Sequence, residues 1–437
     1  MSAESDTPPA MGGDPDLAPA PTPLPPGQRL RALAYCGALM LLLNLAAPYA
    51  GLIGIPVTFF LKNKLHLAAH QQAVFNFWVG IPLYVSFVFG FLRDRWSPVG
   101  AGDRGHLIVF GLVTGALYAT CAFIDPTYGM LLGGLLVVTA AIQFVASAAN
   151  GLVSAVGQRH LMTGQASTVF NVAVVLPAVA AVFGGLLSDV HEGDSAVMAA
   201  RILFVAAAAL MAAIALLGWI GPGWLFAETR HDHAPMASPL SDIGRLLKTW
   251  AIYPPLLMLI LWDFAPAFGT VLAYHLANGL HASDSQVGAF YALFNGFNVP
   301  TLLLYAYLCQ RVRLSRLLLV GTVFAIFQMV PLLIVHTPNG ALAAAVVMGL
   351  LGGIANGAYV DLAIRSCPER LQGTMMMLVV TVYWVAVRFG DLWGTDLYEH
   401  QGGFITAVVA STAVYALILP VLWLAPRRLV ATTDGQA

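Results

Sequence analysis

Apolar stretches of about twenty residues recur along this chain from residue 31 to residue 425, separated by short polar breaks. A stretch of that length, wound as a helix, crosses a hydrocarbon core of about 30 Å. A chain built this way must satisfy every backbone polar group internally, so it can only be a bundle of membrane helices. The charge content agrees: 9% of the 437 residues are charged, against about 25% in soluble domains. The reading is an all-α integral membrane protein of about twelve transmembrane helices.

Hydropathy and turn residues place the spans at 31–61, 71–92, 105–124, 128–150, 166–188 and 199–220. The second set is 252–277, 285–308, 314–335, 340–364, 371–393 and 403–425. Asp125-Pro126 separates spans three and four, and Thr337-Pro338-Asn339-Gly340 separates nine and ten. Residues 1–28 are rich in Pro, Ala and Asp with no apolar period, and read as a disordered cytoplasmic tail without the marks of a signal peptide. The polar stretch 221–251 reads as a linker between a six-helix bundle at 29–220 and another at 252–428. Residues 429–437 form a second tail. Leu240 to Trp250 has the pattern of a short interfacial amphipathic helix.

Lysine and arginine set the orientation. With both termini in the cytoplasm, sixteen of the twenty basic residues fall in inner segments and only Lys62 and Lys64 in outer loops. That asymmetry is the positive-inside rule and predicts a multi-pass protein of the cell (inner) membrane. Net charge is −1, which gives no reason to expect nucleic acid. Cys36, Cys121, Cys309 and Cys367 lack metal spacing, and His231-x-His233 lies in a polar linker, so no metal site is expected. There is no Gly-rich phosphate loop and no paired nucleophile and base, so neither a cofactor nor enzymatic chemistry is expected. The expected partners are the lipid bilayer, a small-molecule substrate and protons, with the protein acting as a monomer.

A shift of 215 residues brings Gly54 onto Gly269, Leu61 onto Leu276, Asn63 onto Asn278 and Leu65 onto Leu280. In the same register His66 meets His281, Gln71 meets Gln286 and Phe75 meets Phe290. Shared Asn, His and Gln are not explained by apolar composition, so the two halves are repeats. Parallel six-helix repeats build one large transporter architecture. The loop after span two reads Gly90-Phe91-Leu92-Arg93-Asp94-Arg95, then Asp103-Arg104-Gly105-His106. With the 6+6 layout it resembles the signature loop of the major facilitator superfamily. That resemblance implies two pseudo-symmetric bundles and a cytoplasmic gate involving Gly90, Asp94 and Arg95. A narrower resemblance joins Thr58 to Leu67, Ile260 to Pro266, Tyr305 to Leu319, and Cys367-Pro368 with Gly373-Thr374, to the folate–biopterin transporter family. It implies proton-coupled uptake of a pterin-like or other organic anion.

Polar groups at membrane depth are costly and mark substrate or ion paths. Asp263 lies about eleven residues into span seven, roughly 16 Å from its inner end, and is the candidate proton carrier; the structural alternative is an ion pair with Arg388. Arg388 suits an anionic substrate, and its structural alternative is an i, i+3 pair with Asp391. Asp361 and Arg365 read as a gating or structural pair. Candidate substrate-lining residues are Trp78, Gln143, Trp262, Asn295, Asn298, Asn356, Tyr359, Tyr383 and Trp384, each of which could instead serve helix packing. The function expected is a secondary active transporter of a small organic solute, working by alternating access and coupled to protons. The runners-up are an efflux transporter of drugs or metabolites, and a non-transporting membrane assembly or receptor protein on the same scaffold.

Overall fold

The computed structural model describes residues 21–49, 53, 57, 61, 69–124, 127–179, 194–227 and 239–436. Among them there is no strand, and ten helices are long and apolar enough to cross a membrane. Two shorter apolar helices, Thr163–Val179 and Trp250–Asp263, complete the expected twelve.

The first half contains α1 (Pro26–Ala46), α2 (Ala69–Tyr84) continued by α3 (Ser86–Arg95), and α4 (Asp103–Phe123). It closes with α5 (Tyr128–Arg159), α6 (Thr163–Val179) and α7 (Asp194–Ile220). A short amphipathic helix, α8 (Pro239–Lys248), precedes the second half. That half contains α9 (Tyr253–Asp263) and α10 (Thr270–Tyr274), then α11 (Asp284–Leu308) and α12 (Leu314–Ile326). It ends with α13 (Pro338–Arg365), α14 (Gln372–His400) and α15 (Gly403–Ala416). Within the halves α4 packs on α7, and α11 on α13. Between the halves α14 lies along α3 and α5, and α6 along α11 and α13.

Four boundaries depart from the sequence reading. Span seven is two helices: α9 stops at Asp263, and the chain turns through Phe264 to Gly269 before α10 begins. Gly269 has φ +64, a conformation that other residues rarely adopt. Helices α5 and α14 run on to Arg159 and His400, past the expected ends. The disordered tail expected over 1–28 ends earlier, because Pro26 opens α1 and the Thr22 amide donates to the Arg159 carbonyl at 3.1 Å. His231, His233 and most of the first repeat copy (54–75) lie outside the described residues.

One end of the bundle holds the loop 96–102, α8, Thr22 and the segment 427–436. We call it the basic end. The hydrogen bonds that join the two halves cluster there. Gln158 donates to the carbonyls of Ile364 and Cys367, both at 2.8 Å, and Ser167 donates to that of Gly357 at 2.6 Å. Farther out, the Phe87 amide donates to the Thr381 hydroxyl at 3.1 Å.

Candidate functional site: a central polar path and a gate at the basic end

Helix α14 is the spine of the site. Gly373, Met377, Thr381, Trp384 and Arg388 recur at three- and four-residue spacing and so share one face. Four of them touch the first half. Gly373 meets Asp94, Met377 meets Asn150, Thr381 meets Phe87, and Trp384 packs edge-on against Tyr49 with ring centroids 5.4 Å apart. Arg388 continues that face one turn farther out and is exposed. Among the described residues it forms no ion pair. Its neighbour Asp391 turns instead to the start of α10, accepting from the Thr270 amide and hydroxyl, each at 2.8 Å. The carboxylate thereby satisfies a helix N-terminus, and the Arg388–Asp391 pair does not form.

Asp263 closes α9 at the break in span seven, with Tyr383 of α14 and Tyr415 of α15 as its electrostatic neighbours. It makes no ion pair with Arg388, so the structural alternative for either residue is absent here. Trp262 shares the Tyr415 neighbour. It stacks on Tyr415 at 5.1 Å and meets Tyr359 edge-on at 5.9 Å. Tyr359 is fully buried, its hydroxyl 2.8 Å from that of Thr322 on α12. Both rings thus have packing partners within the second half, the alternative that the sequence left open for them. Trp78 also stands apart, half exposed against Phe77. Asn295 is engaged locally, donating to the Tyr291 carbonyl of its own helix at 2.8 Å. Asn356 is half-buried on α13.

Tyr383 and Trp384 form an edge-on pair at 5.2 Å. Opposite them Gln143 lies beside Tyr49 and accepts from the Ser86 hydroxyl at 3.2 Å. Gln143 Nε2, Asn150 Oδ1 and Asn298 Oδ1 are buried with no partner among the described residues. A buried amide group without a partner costs about 1–3 kcal/mol. Gln143 and Asn150 lie on the helix that packs along α14 of the other half, whereas Asn298 Oδ1 lies against Gly353 of α13 in its own half. Asn150 was missed by the sequence reading; its spacing of seven from Gln143, two turns on one face of α5, is the signal that would have found it.

The contacts around the expected gate residues are more extensive than the sequence suggested. Asp94, in the last turn of α3, is 3% exposed. Its carboxylate accepts from the Gly373 amide at 3.1 Å, the Thr374 amide at 2.7 Å and the Thr374 hydroxyl at 2.6 Å. It thus caps the N-terminus of α14, in the opposite half, where the helix dipole favours an anion. Arg93 braces it, paired with Asp94 and held through two contacts by Asp103 at the start of α4. Gly90 permits the approach, because a Cβ there would meet the Gly373 carbonyl and lie 2.9 Å from Met377 Cβ. Arg95 pairs with Asp242 of α8 at 2.7 Å, tying the linker to the same loop. On the second half Asp361 and Arg365 pair at 2.8 Å, and Tyr305 donates to Asp361 at 2.7 Å.

The sequence profile of the Major Facilitator Superfamily matches residues 39–390. The chain belongs to that superfamily. Superfamily members are transporters, not enzymes. The chain is 24% identical over 372 residues to "Sugar efflux transporter B" of Salmonella typhimurium, covering 83% of this chain and 90% of that one. Its fold matches FucP in the outward conformation with a TM-score of 0.68 at 16% identity, over 90% of this chain and 98% of that. It matches the proton:xylose symporter XylE with a TM-score of 0.66 at 12% identity, over 93% and 98%. The human organic anion transporter MFSD10 gives 0.57 at 15% identity, over 91% and 100%. None of these relatives is a folate–biopterin transporter, so that narrower resemblance is not carried further than the superfamily.

Proposed function

We propose that this superfamily member is a proton-coupled transporter of a small organic anion, and that the structure corresponds to its outward-facing state. The basic end is read as cytoplasmic, because the arginine-rich segments lie there. The observation that carries the substrate class is Arg388, unpaired among the described residues on the face of α14 that looks toward the other half. A guanidinium keeps its charge at any physiological pH and presents a fork of donors matched to a carboxylate. Tyr383 and Trp384, a turn deeper on α14, supply aromatic surface for a planar solute. Asp263 is the proton carrier in this reading, standing at the helix break without a fixed countercharge. Solute entering from outside engages Arg388; the halves then close over it, and the caps at the basic end release.

A second reading, export or uptake of a neutral sugar, is favoured by the three buried amide groups without partners and by the sugar-named relatives. Proteoliposomes distinguish the two. The organic-anion reading expects radiolabelled folate or a benzoate-class anion to accumulate under an imposed pH gradient, abolished by a protonophore. Accumulation of labelled xylose or lactose, with no anion uptake, would replace it with the sugar reading.

A further inference from the structure

The two halves are not equivalent at the gate. In the first, Asp94 in the last turn of α3 caps the N-terminus of α14 across the interface. The register of 215 residues that relates the halves puts Cys309 at the equivalent position, at the end of α11. Cys309 does face the start of α6 in the other half, since a Cβ on Gly164 would lie 2.7 Å from Cys309 Cβ. A thiol is a weak acceptor and cannot cap a helix as a carboxylate does.

The missing carboxylate comes from elsewhere in the chain. The segment after Arg427 folds back along the basic end. The Asp434 amide donates to the Cys309 carbonyl at 3.0 Å, and the Gly435 amide to that of Leu161 at 2.6 Å. Asp434 is 7% exposed. One carboxylate oxygen accepts from the Gly164 amide at 3.1 Å, the Thr163 hydroxyl at 3.3 Å and Arg365 at 3.2 Å. The other accepts from the Gln165 amide at 3.2 Å and the Cys309 thiol at 3.4 Å. Arg365 also donates to the carbonyls of Leu429 and Thr432. Thus one short segment holds α6 of the first half and α11 and α13 of the second.

We infer that residues 432–436 are an intramolecular strap, and that Asp434 is the second gate carboxylate, replacing by fold-back the acid that α11 lacks. For the basic end to open, the strap must leave α6, whereas it can stay on α13 through Arg365. The strap therefore sets how readily the cytoplasmic gate opens. This inference rests on the alternating-access reading above, and its test does not use transport, so either can fail without the other.

Hydrogen–deuterium exchange on the intact protein in lipid nanodiscs reads the two caps separately. The Gly164 and Gln165 amides report the Asp434 cap; the Gly373 and Thr374 amides report the Asp94 cap, which Asp434 does not touch. With Asp434→Ala, and with residues 432–437 deleted, exchange should rise about tenfold at both caps, while amides in the middle of α15 keep their protection. The tenfold figure corresponds to losing one helix cap. A rise confined to residues 163–168 would make Asp434 a local cap and overturn the strap. No rise at either cap in the deletion variant would overturn it as well.

Discussion

Asp94→Ala removes the acceptor of two buried amides on α14 and one hydroxyl, all lying 2.6–3.1 Å from the carboxylate. The hydroxyl can rotate toward another acceptor, but the two amides cannot. Leaving a buried donor unsatisfied costs about 1–3 kcal/mol. The penalty applies only while the gate is closed, because opening the basic end admits water to the same amides. Arg93 keeps Asp103 in the variant, so the loop itself stays folded. The closed state should lose about 3 kcal/mol against the open one, on the order of a hundredfold in population. Spin labels at Val99 and Gln310, exposed positions on opposite halves of the basic end, follow this by pulsed electron resonance. A single short-distance population in the parent should give way to a longer one in the variant. If the distribution is unchanged while the thermal midpoint falls, Asp94 stabilises the fold without gating it, and the reasoning is wrong.

Asp263→Asn keeps the shape of the side chain and removes its proton, so pH-driven accumulation should vanish while solute exchange survives; equal pH-driven accumulation in both proteins would place the proton elsewhere. Arg388→Lys keeps the charge and loses the fork, and anion affinity in a binding titration should fall tenfold or more with the thermal midpoint unchanged. Parent-like affinity would remove the support for an anion. Burial, and then the Asp361 carboxylate, push Asp434 up to about 6 in the docked strap, against the opposing pull of Arg365 and the Gly164 and Gln165 amides. A detached segment would titrate near the ordinary value of about 3.9, so the docked form binds the proton more tightly. Lowering pH from 7.5 to 5 should therefore slow exchange at Gly164 and Gln165, after correction for intrinsic rates. The effect should be missing in Asp434→Ala, and faster exchange at low pH would reverse the assignment.

The helix count and the two-half layout were legible because membrane helices obey a length rule that composition alone exposes. That Asp94 matters was legible through the resemblance of its loop to the superfamily signature; that it meets the start of α14, about 280 residues away, was not. The break after Asp263 was missed although Pro266 and Gly269 flagged it; the flanking apolar residues hid two helices inside one hydropathy peak. The packing partners of Trp262 and Tyr359 were not legible for a simpler reason. Nothing in a helical sequence says whether an aromatic turns toward its own half or the other, and here Tyr415 and Thr322 hold them inward. Asp434 was out of reach of sequence reasoning, because its partners lie about 70 to 270 residues away and no local pattern relates them.

If the two halves rock about a shared site, the two ends must open reciprocally. A second label pair at Phe123 and Ile334, on exposed positions at the far ends of α4 and of the turn after α12, reads the outer end. Measured beside Val99 and Gln310 in the same preparations, this pair should change in the opposite direction. Asp94→Ala should lengthen the distance at the basic end and shorten it at the outer end, in equal proportions of molecules. Both distances lengthening together, or the outer distance staying fixed while the basic end opens, would contradict alternating access in this protein.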